Sequence, residues 1–372
     1  MIDAVLCVDI GTTSLKAGLV TAEGEVVSVC KVKFNAAEDK YLIAGKWLGA
    51  FNSALQKLKE DSSCRTLDVQ IKAVSISGNG PTVVTEDART VLWNDSYELS
   101  PARCGTSLFL SKLITLKELF PREFSESRHI FSGPEYLIWQ LTGAAVTILP
   151  EKRFEAAYWN DEILTSEGIL PEKLPPFYKV GEVYGKMDGE SFKDAGFFAE
   201  DKVPVFGAGP DFVAALIGTN TLFPGRICDR SGSSEGINFC LSSAVRADGI
   251  RTLPSVIPGL WNVSVLLPMS GRMPENQRIA SLQKAVQLLK ALALENGEVF
   301  PREMLVTGGQ TKNPHYMERK AAALGMVLVE ANCDDAELLG DACVAWWGLG
   351  RYGNLQEAAG KIVKEGKHYE NI

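Results

Sequence analysis

The chain has 372 residues, 46% hydrophobic and 23% charged, which suits a globular protein of two or three domains with a large core. Its 38 basic and 46 acidic residues give a net charge of -8, which argues against nucleic acid or an anionic membrane as main partner. No apolar run approaches the ~18 residues of a membrane span, and Met1-Ile2-Asp3 lacks the basic start of a signal peptide. Eight cysteines without a C-x-x-C pair, beside three histidines, offer no zinc or iron–sulfur pattern. The expectation is a cytoplasmic protein with reduced core thiols.

The elements follow in chain order. Ala4–Ile10 is an apolar run that ends in Gly-Thr-Thr-Ser, and Leu15–Thr21 and Glu25–Phe34 continue as strands about a Glu23-Gly24 turn. Trp47, Phe51, Leu55 and Leu58 share a helix face, and Ile71–Ser77 reads as a fourth strand. Three strands before the first helix do not fit a simple alternation of strand and helix. Residues 107–143 read as mostly helical and 165–200 as loop. Val203–Phe206 is a short strand leading into Gly207-Ala208-Gly209-Pro210-Asp211 and a helix over Phe212–Ile217. Phe223-Pro224-Gly225 reads as a domain junction. Beyond it, strands Arg226–Arg230 and Ile237–Cys240 flank Gly232-Ser233-Ser234-Glu235-Gly236. A helix over Arg278–Glu295, strand Met304–Thr307, a helix after Pro314, strand Met326–Glu330 and a helix over Ala336–Tyr352 complete the chain. No repeat or low-complexity segment is visible in the sequence.

Four constellations could carry chemistry. Asp9-Ile10-Gly11-Thr12-Thr13-Ser14-Leu15-Lys16 places an acid before a turn of glycine and hydroxyl residues. Such a hairpin can offer N–H and O–H groups to phosphate while the acid holds hydrated Mg2+, although an ordinary hairpin turn has the same composition. Gly207–Asp211 lets the backbone approach a ligand and opens a helix with an acid, which a helix cap alone also explains. Gly232–Gly236 matches the G-x-S-x-G of hydrolases, with His315 and His368 following Ser234, but a strand follows where that motif needs a helix. Gly308-Gly309 after a strand can admit a ring or sugar against the backbone, or simply turn the chain. No Walker A sequence is present.

Taken in order, these segments resemble the FGGY carbohydrate kinases of the actin-like ATPase superfamily. The residues that carry the resemblance are Asp9–Ser14, Gly209-Pro210-Asp211, Gly232-Ser233-Ser234, Gly308-Gly309-Gln310-Thr311-Lys312-Asn313 and Leu338-Leu339-Gly340-Asp341-Ala342. Leu92-Trp93-Asn94-Asp95 and Gln140-Leu141-Thr142-Gly143 add weaker matches. The resemblance implies an α/β fold of two RNase-H-like domains around a central cleft, 1–222 and 223–372, the second shortened. It implies ATP-dependent phosphorylation of a sugar or polyol hydroxyl, with ketopentoses mildly favoured. The alternative is a catalytically weak regulatory member that binds nucleotide or sugar. Gly11, Thr12, Thr13, Ser14, Lys16, Gly232, Ser233 and Ser234 would hold the phosphates, and Gly308, Gly309 and Asn313 would border the adenosine. Asp9 and Asp211 would hold Mg2+, and Asp211 would be the base. Asn79, Trp93, Asp95 and Asp211 would meet the acceptor. The implied partner is a small sugar or polyol, with no nucleic acid and no membrane, and a homodimer is left open.

Departures from the family pattern are concentrated on the acceptor side. Ser77-Gly78-Asn79-Gly80-Pro81-Thr82 lacks the usual His, Arg and Glu contacts, and Tyr97 stands where an Arg usually follows Trp93-x-Asp95. Only 73 residues separate Ser234 from Gly308, fewer than usual. The nucleotide half therefore looks intact, while the acceptor half matches no subtype.

Overall fold

The computed structural model describes residues 1–34, 39–95, 107–189, 197–198, 200–232 and 234–370. Ser233, Tyr97 and Cys104 lie outside them.

The strands are β1 (Ile2–Ile10), β2 (Ser14–Thr21), β3 (Val26–Lys33), β4 (Val69–Gly78), β5 (Val83–Thr85), β6 (Thr90–Val91), β7 (Ile130–Ser132), β8 (Thr147–Leu149), β9 (Phe177–Lys179), β10 (Lys186–Asp188) and β11 (Lys202–Gly209). They continue with β12 (Ile227–Ser231), β13 (Glu235–Leu241), β14 (Arg251–Pro254), β15 (Trp261–Leu267), β16 (Glu303–Thr307), β17 (Val327–Ala331) and β18 (Glu365–Tyr369). The helices are α1 (Trp47–Glu60), α2 (Ser62–Leu67), α3 (Leu110–Leu119), α4 (Pro121–Glu126), α5 (Glu135–Thr142), α6 (Asp161–Ser166), α7 (Asp211–Gly218), α8 (Glu275–Glu295), α9 (Pro314–Leu324), α10 (Ala336–Gly348) and α11 (Leu355–Ile362).

Two mixed sheets organise the molecule. The first runs β10-β11-β4-β1-β2-β3 and the second β14-β15-β13-β12-β16-β17-β18. In each, an antiparallel meander (β1-β2-β3, or β12-β13-β15) is followed by two strands added parallel on the other side of its first strand. The same wind therefore occurs twice. This is the expected α/β architecture of two actin-like halves. β1 is continuously buried from Ala4 to Ile10, as a central strand covered on both faces must be. α1 covers the first sheet with Trp47, Phe51, Leu55 and Leu58, and Asp61 at its end caps α2 by accepting the Ser63 amide.

Details differ from the sequence reading for local reasons. The helical stretch over 107–143 is broken by β7. The last long helix ends at Gly348, and α11 follows as a separate element. β14, β15 and β18 were not expected at all. The seven described cysteines are free thiols, five of them buried. No helix among the described residues is long and apolar enough to cross a membrane.

The two halves meet through α7 and α10, which cross at near-backbone contact. A Cβ on Gly340 would stand 1.9 Å from the Ala214 carbonyl oxygen, and one on Gly218 1.7 Å from that of Ala336. α10 thereby lies against β1, β4 and β11 of the first sheet. Its buried Asp341 accepts hydrogen bonds from Ser75 (3.2 Å) and Ser77 (2.8 Å) of β4.

Candidate active site

The first hairpin forms where β1 turns into β2. The Gly11 amide donates to the Ser14 carbonyl at 2.9 Å and closes the turn. Asp9, at the end of β1, is 4% exposed. The Lys16 ammonium lies 3.2 Å from Asp9 Oδ2 and 2.8 Å from Asp335 Oδ1, so it ties this hairpin to the start of α10. Burial works against the Lys16 charge, but Asp9, Glu337 and Asp335 together raise its pKa and keep it protonated. Burial also pushes the Asp9 carboxyl up; Lys16 opposes this, while Asp211 and Asp335 add to it. The Glu337 carboxyl is pushed up to about 7, first by burial and then by Asp9.

Two residues expected to meet the acceptor fold onto this hairpin. The Trp93 indole donates to Thr12 Oγ1 at 3.1 Å. Asn79, at φ 40° and 2% exposed, donates through Nδ2 to the Gly11 carbonyl at 3.2 Å and leaves only its Oδ1 unpartnered. Most of Asn79 is thus spent on shaping the turn. Asp95 accepts the Leu92 amide and pairs with Lys40 at 3.0 Å, which occupies both of its oxygens.

The second hairpin joins β12 to β13, with Gly232 and Ser234 in the turn. A strand on both sides rules out the strand–turn–helix context of a hydrolase nucleophile. Ser234 Oγ accepts the Met269 amide at 3.3 Å, and His315 and His368 pair with Glu318 and Glu365 instead. Against this hairpin sits the turn after β16. Gly308 adopts φ 100°, and a Cβ there would stand 2.6 Å from the Ser231 carbonyl oxygen, so only glycine permits the approach. Gln310 Nε2 donates to the Gly232 carbonyl at 3.3 Å. Gly309 is open to added bulk, whereas the Asn313 side chain caps α9 by accepting the Tyr316 amide.

Under the second hairpin lies a fully buried ionic knot. Lys320 of α9 donates to Asp229, to Glu235 at 2.6 Å and to Ser231 at 3.1 Å. Burial pushes Asp229 up to about 7, with Glu235 adding to it, and Lys320 holds Glu235 below its ordinary value against the cost of burial. The sequence held no signal for Lys320 beyond its place on a helix.

Close to Asp9 of the first hairpin stands Asp211, first residue of α7. Its Oδ1 accepts the Phe212 amide at 2.7 Å, and a Cβ on Gly80 would lie 3.8 Å from the same oxygen. The Asp211 charge adds to the upward push on the Asp9 carboxyl. Among the described residues no cluster of three or more His, Cys, Asp or Glu forms a metal cage. Two neighbouring carboxylates instead fit Mg2+, which binds through one or two acids and keeps water and phosphate oxygens for the rest. Across from Asp211 come two arginines that the motifs did not point to, Arg230 and Arg251. Arg230 sits two residues before Gly232, but the direction of its side chain depends on strand register, and Arg251 has no neighbouring motif.

A model described as the FGGY family of carbohydrate kinases, N-terminal domain, matches residues 4–96 and 89–218. The xylulose kinase of Escherichia coli K12 is 22% identical over 344 residues, 83% of this chain and 69% of that protein. The xylulose kinase of Bacillus subtilis is 22% identical over 62% of this chain and 52% of its own, so the chain spans about half the length of that relative. Among solved structures, a xylulose kinase from Rhodospirillum rubrum superposes with a TM-score of 0.77 at 17% identity, covering 99% of this chain and 94% of the other. A gluconate kinase from Lactobacillus acidophilus gives 0.77 at 16%, covering 100% and 94%. At such identities the structural likeness establishes the fold.

Proposed function

The chain belongs to the FGGY family of carbohydrate kinases, and on that premise we propose that it transfers the γ-phosphoryl group of ATP to a hydroxyl of a sugar or polyol. The observation that carries this reading is convergence. The Gly11–Ser14 hairpin is tied through Lys16 to Asp335, the Gly308 turn donates to the neighbouring Asp334 carbonyl and packs on Ser231 and Gly232 of the second hairpin, and Asp211 stands close to Asp9. Phosphoryl transfer needs that combination of positioning, charge neutralisation and one proton acceptor.

In this reading the two hairpins hold the phosphates with backbone N–H and hydroxyl groups, and Lys16 supplies positive charge beside them. Gly308 and Gly309 border the adenosine, with Asn313 holding the following helix in place. Asp9 and Asp211 hold Mg2+, which neutralises phosphate charge when bound. Asp211 accepts the acceptor's hydroxyl proton while the oxygen forms its bond to the γ-phosphorus and the bond to ADP breaks. Residues 1–222 supply the acceptor side and 223–372 most of the nucleotide side. Ketopentoses and polyols are the first neutral acceptors to try, because the sequence relatives include xylulose kinases and glycerol kinases.

The test is ADP release with Mg·ATP across a panel of ketopentoses, polyols and sugar acids. Acceptor-dependent release supports the reading. Absence of release with every acceptor, together with no ATP binding at millimolar concentration, refutes it.

A further inference from the structure

The second sheet has two chemically different faces. Ile237, Val263 and Val265 point one way, into the apolar cluster shared with α8 and α9. Register places Arg230 opposite Gly236, and Asn238 opposite Ser264, which in turn faces Arg251. Side chains paired across a ladder point the same way, and the period along a strand is two. Arg230 and Arg251 therefore rise from one common face, the one that does not carry the apolar cluster.

That face looks toward Asp211. The Arg251 guanidinium carbon lies 5.6 Å from the ring centroid of Phe212, the residue after Asp211. Gly236 makes room for the second arginine, since a Cβ there would stand 3.4 Å from Arg230 Nη2. The Nε atoms of both arginines are buried without a hydrogen-bond partner. Burial and then the Arg230 charge depress the Arg251 pKa, and Asp211 offsets only part of this. Asn262, on the same face beside Asn238, also leaves its Oδ1 unpartnered. Two like charges whose buried Nε–H donors lack a partner are costly unless an anion joins them. A neutral sugar cannot supply one.

We propose that Arg230 and Arg251 form an anion subsite opposite Asp211 that takes the carboxylate of a sugar-acid acceptor. The planar fork of each guanidinium matches a carboxylate. Arg251 stands on the edge strand β14, set apart from the β12–β13 hairpin by β15 and against α7, which favours the acceptor side. The inference rests on the kinase reading and narrows its acceptor from sugars in general to those carrying an acid group.

Calorimetric titration of the full chain tests it without turnover. The probes are D-xylonate and D-gluconate against xylitol and D-glucitol, with wild type, Arg251→Met, Arg251→Lys and Arg230→Met. Melting curves check that each variant is folded. Wild type is expected to bind each acid at least tenfold more tightly than the matching polyol. Both methionine variants lose at least tenfold in acid affinity, and Arg251→Lys recovers part of it. Equal affinity of wild type for acids and polyols overturns the subsite. So does an Arg251→Met protein that keeps its acid affinity, or one that loses affinity for a non-hydrolysable Mg·ATP analogue instead, which would assign the pair to the nucleotide. Failure here with ADP release from ketopentoses intact sinks the subsite alone. Arginine-dependent acid binding without ADP release from any acceptor sinks the kinase reading and leaves the subsite standing.

Discussion

Glu135 keeps a proton that the unfolded chain would release. It is 1% exposed, its Oε1 accepts the Ile148 amide at 2.9 Å, and burial pushes its carboxyl up to about 8 from an ordinary 4.5. The folded state binds this proton between roughly pH 4.5 and 8 where the unfolded state does not, so stability falls as pH rises through that window. Each unit of the gap is worth about 1.4 kcal/mol. Glu135→Gln keeps the acceptor and removes the titration. Urea unfolding of both proteins should agree near pH 5 and favour the variant at pH 8.5; parallel losses with pH would rule the carboxyl out as the cause. Lys320→Met should be severe, because it leaves Asp229 and Glu235 buried without their cation, at a cost of about 3–5 kcal/mol. A shift in the urea midpoint worth less than about 1 kcal/mol would mean that the knot is replaceable. At this scale the sequence was legible where backbone chemistry decides, as in the glycine and hydroxyl turns. It was silent on Lys320, Arg230 and Arg251, because which way a polar side chain faces depends on strand register, and register is settled by pairing across the sheet.

Elements were legible where their own pattern was strong. β1, α1 and α8 declare themselves by apolar runs or helical spacing. β18 does not, since Glu365–His368 are all exposed and only Tyr369 is buried. β14 is an edge strand that ends on Pro254, and β15 is fixed by its pairing with β13. The α7–α10 crossing was equally hidden, because Gly340 looks like any helix glycine until its neighbour is known. A methyl group there meets the Ala214 carbonyl and has nowhere to go. Gly340→Ala should therefore destabilise the protein by about 1–3 kcal/mol, despite alanine's better helix propensity. A thermal melt at or above that of wild type would show that the helices can separate without penalty.

At the scale of the whole molecule, the two sheets meet over an ionic contact as well as a helix crossing. Lys16 of the first half bridges Asp9 to Asp335 of the second. On the proposed reading, a phosphate entering between the hairpins would draw them together. Mg·ATP with an acceptor should therefore lower the radius of gyration in solution scattering more than either alone. Identical curves in all states would mean that the halves do not close on their ligands. The repeated order of strands was not legible as a repeat, because it lies in how strands pair rather than in any sequence period.

The most direct test of the account is the steady-state comparison of wild type with Asp211→Asn in the ADP-release assay, using whichever acceptor turns over. Asparagine keeps the shape and can still start α7, but it cannot accept the hydroxyl proton. The expected result is a loss in kcat of roughly 10²–10⁴-fold with ATP affinity nearly unchanged. A variant with near-wild-type kcat would reduce Asp211 to a helix-start acid and contradict the site as described.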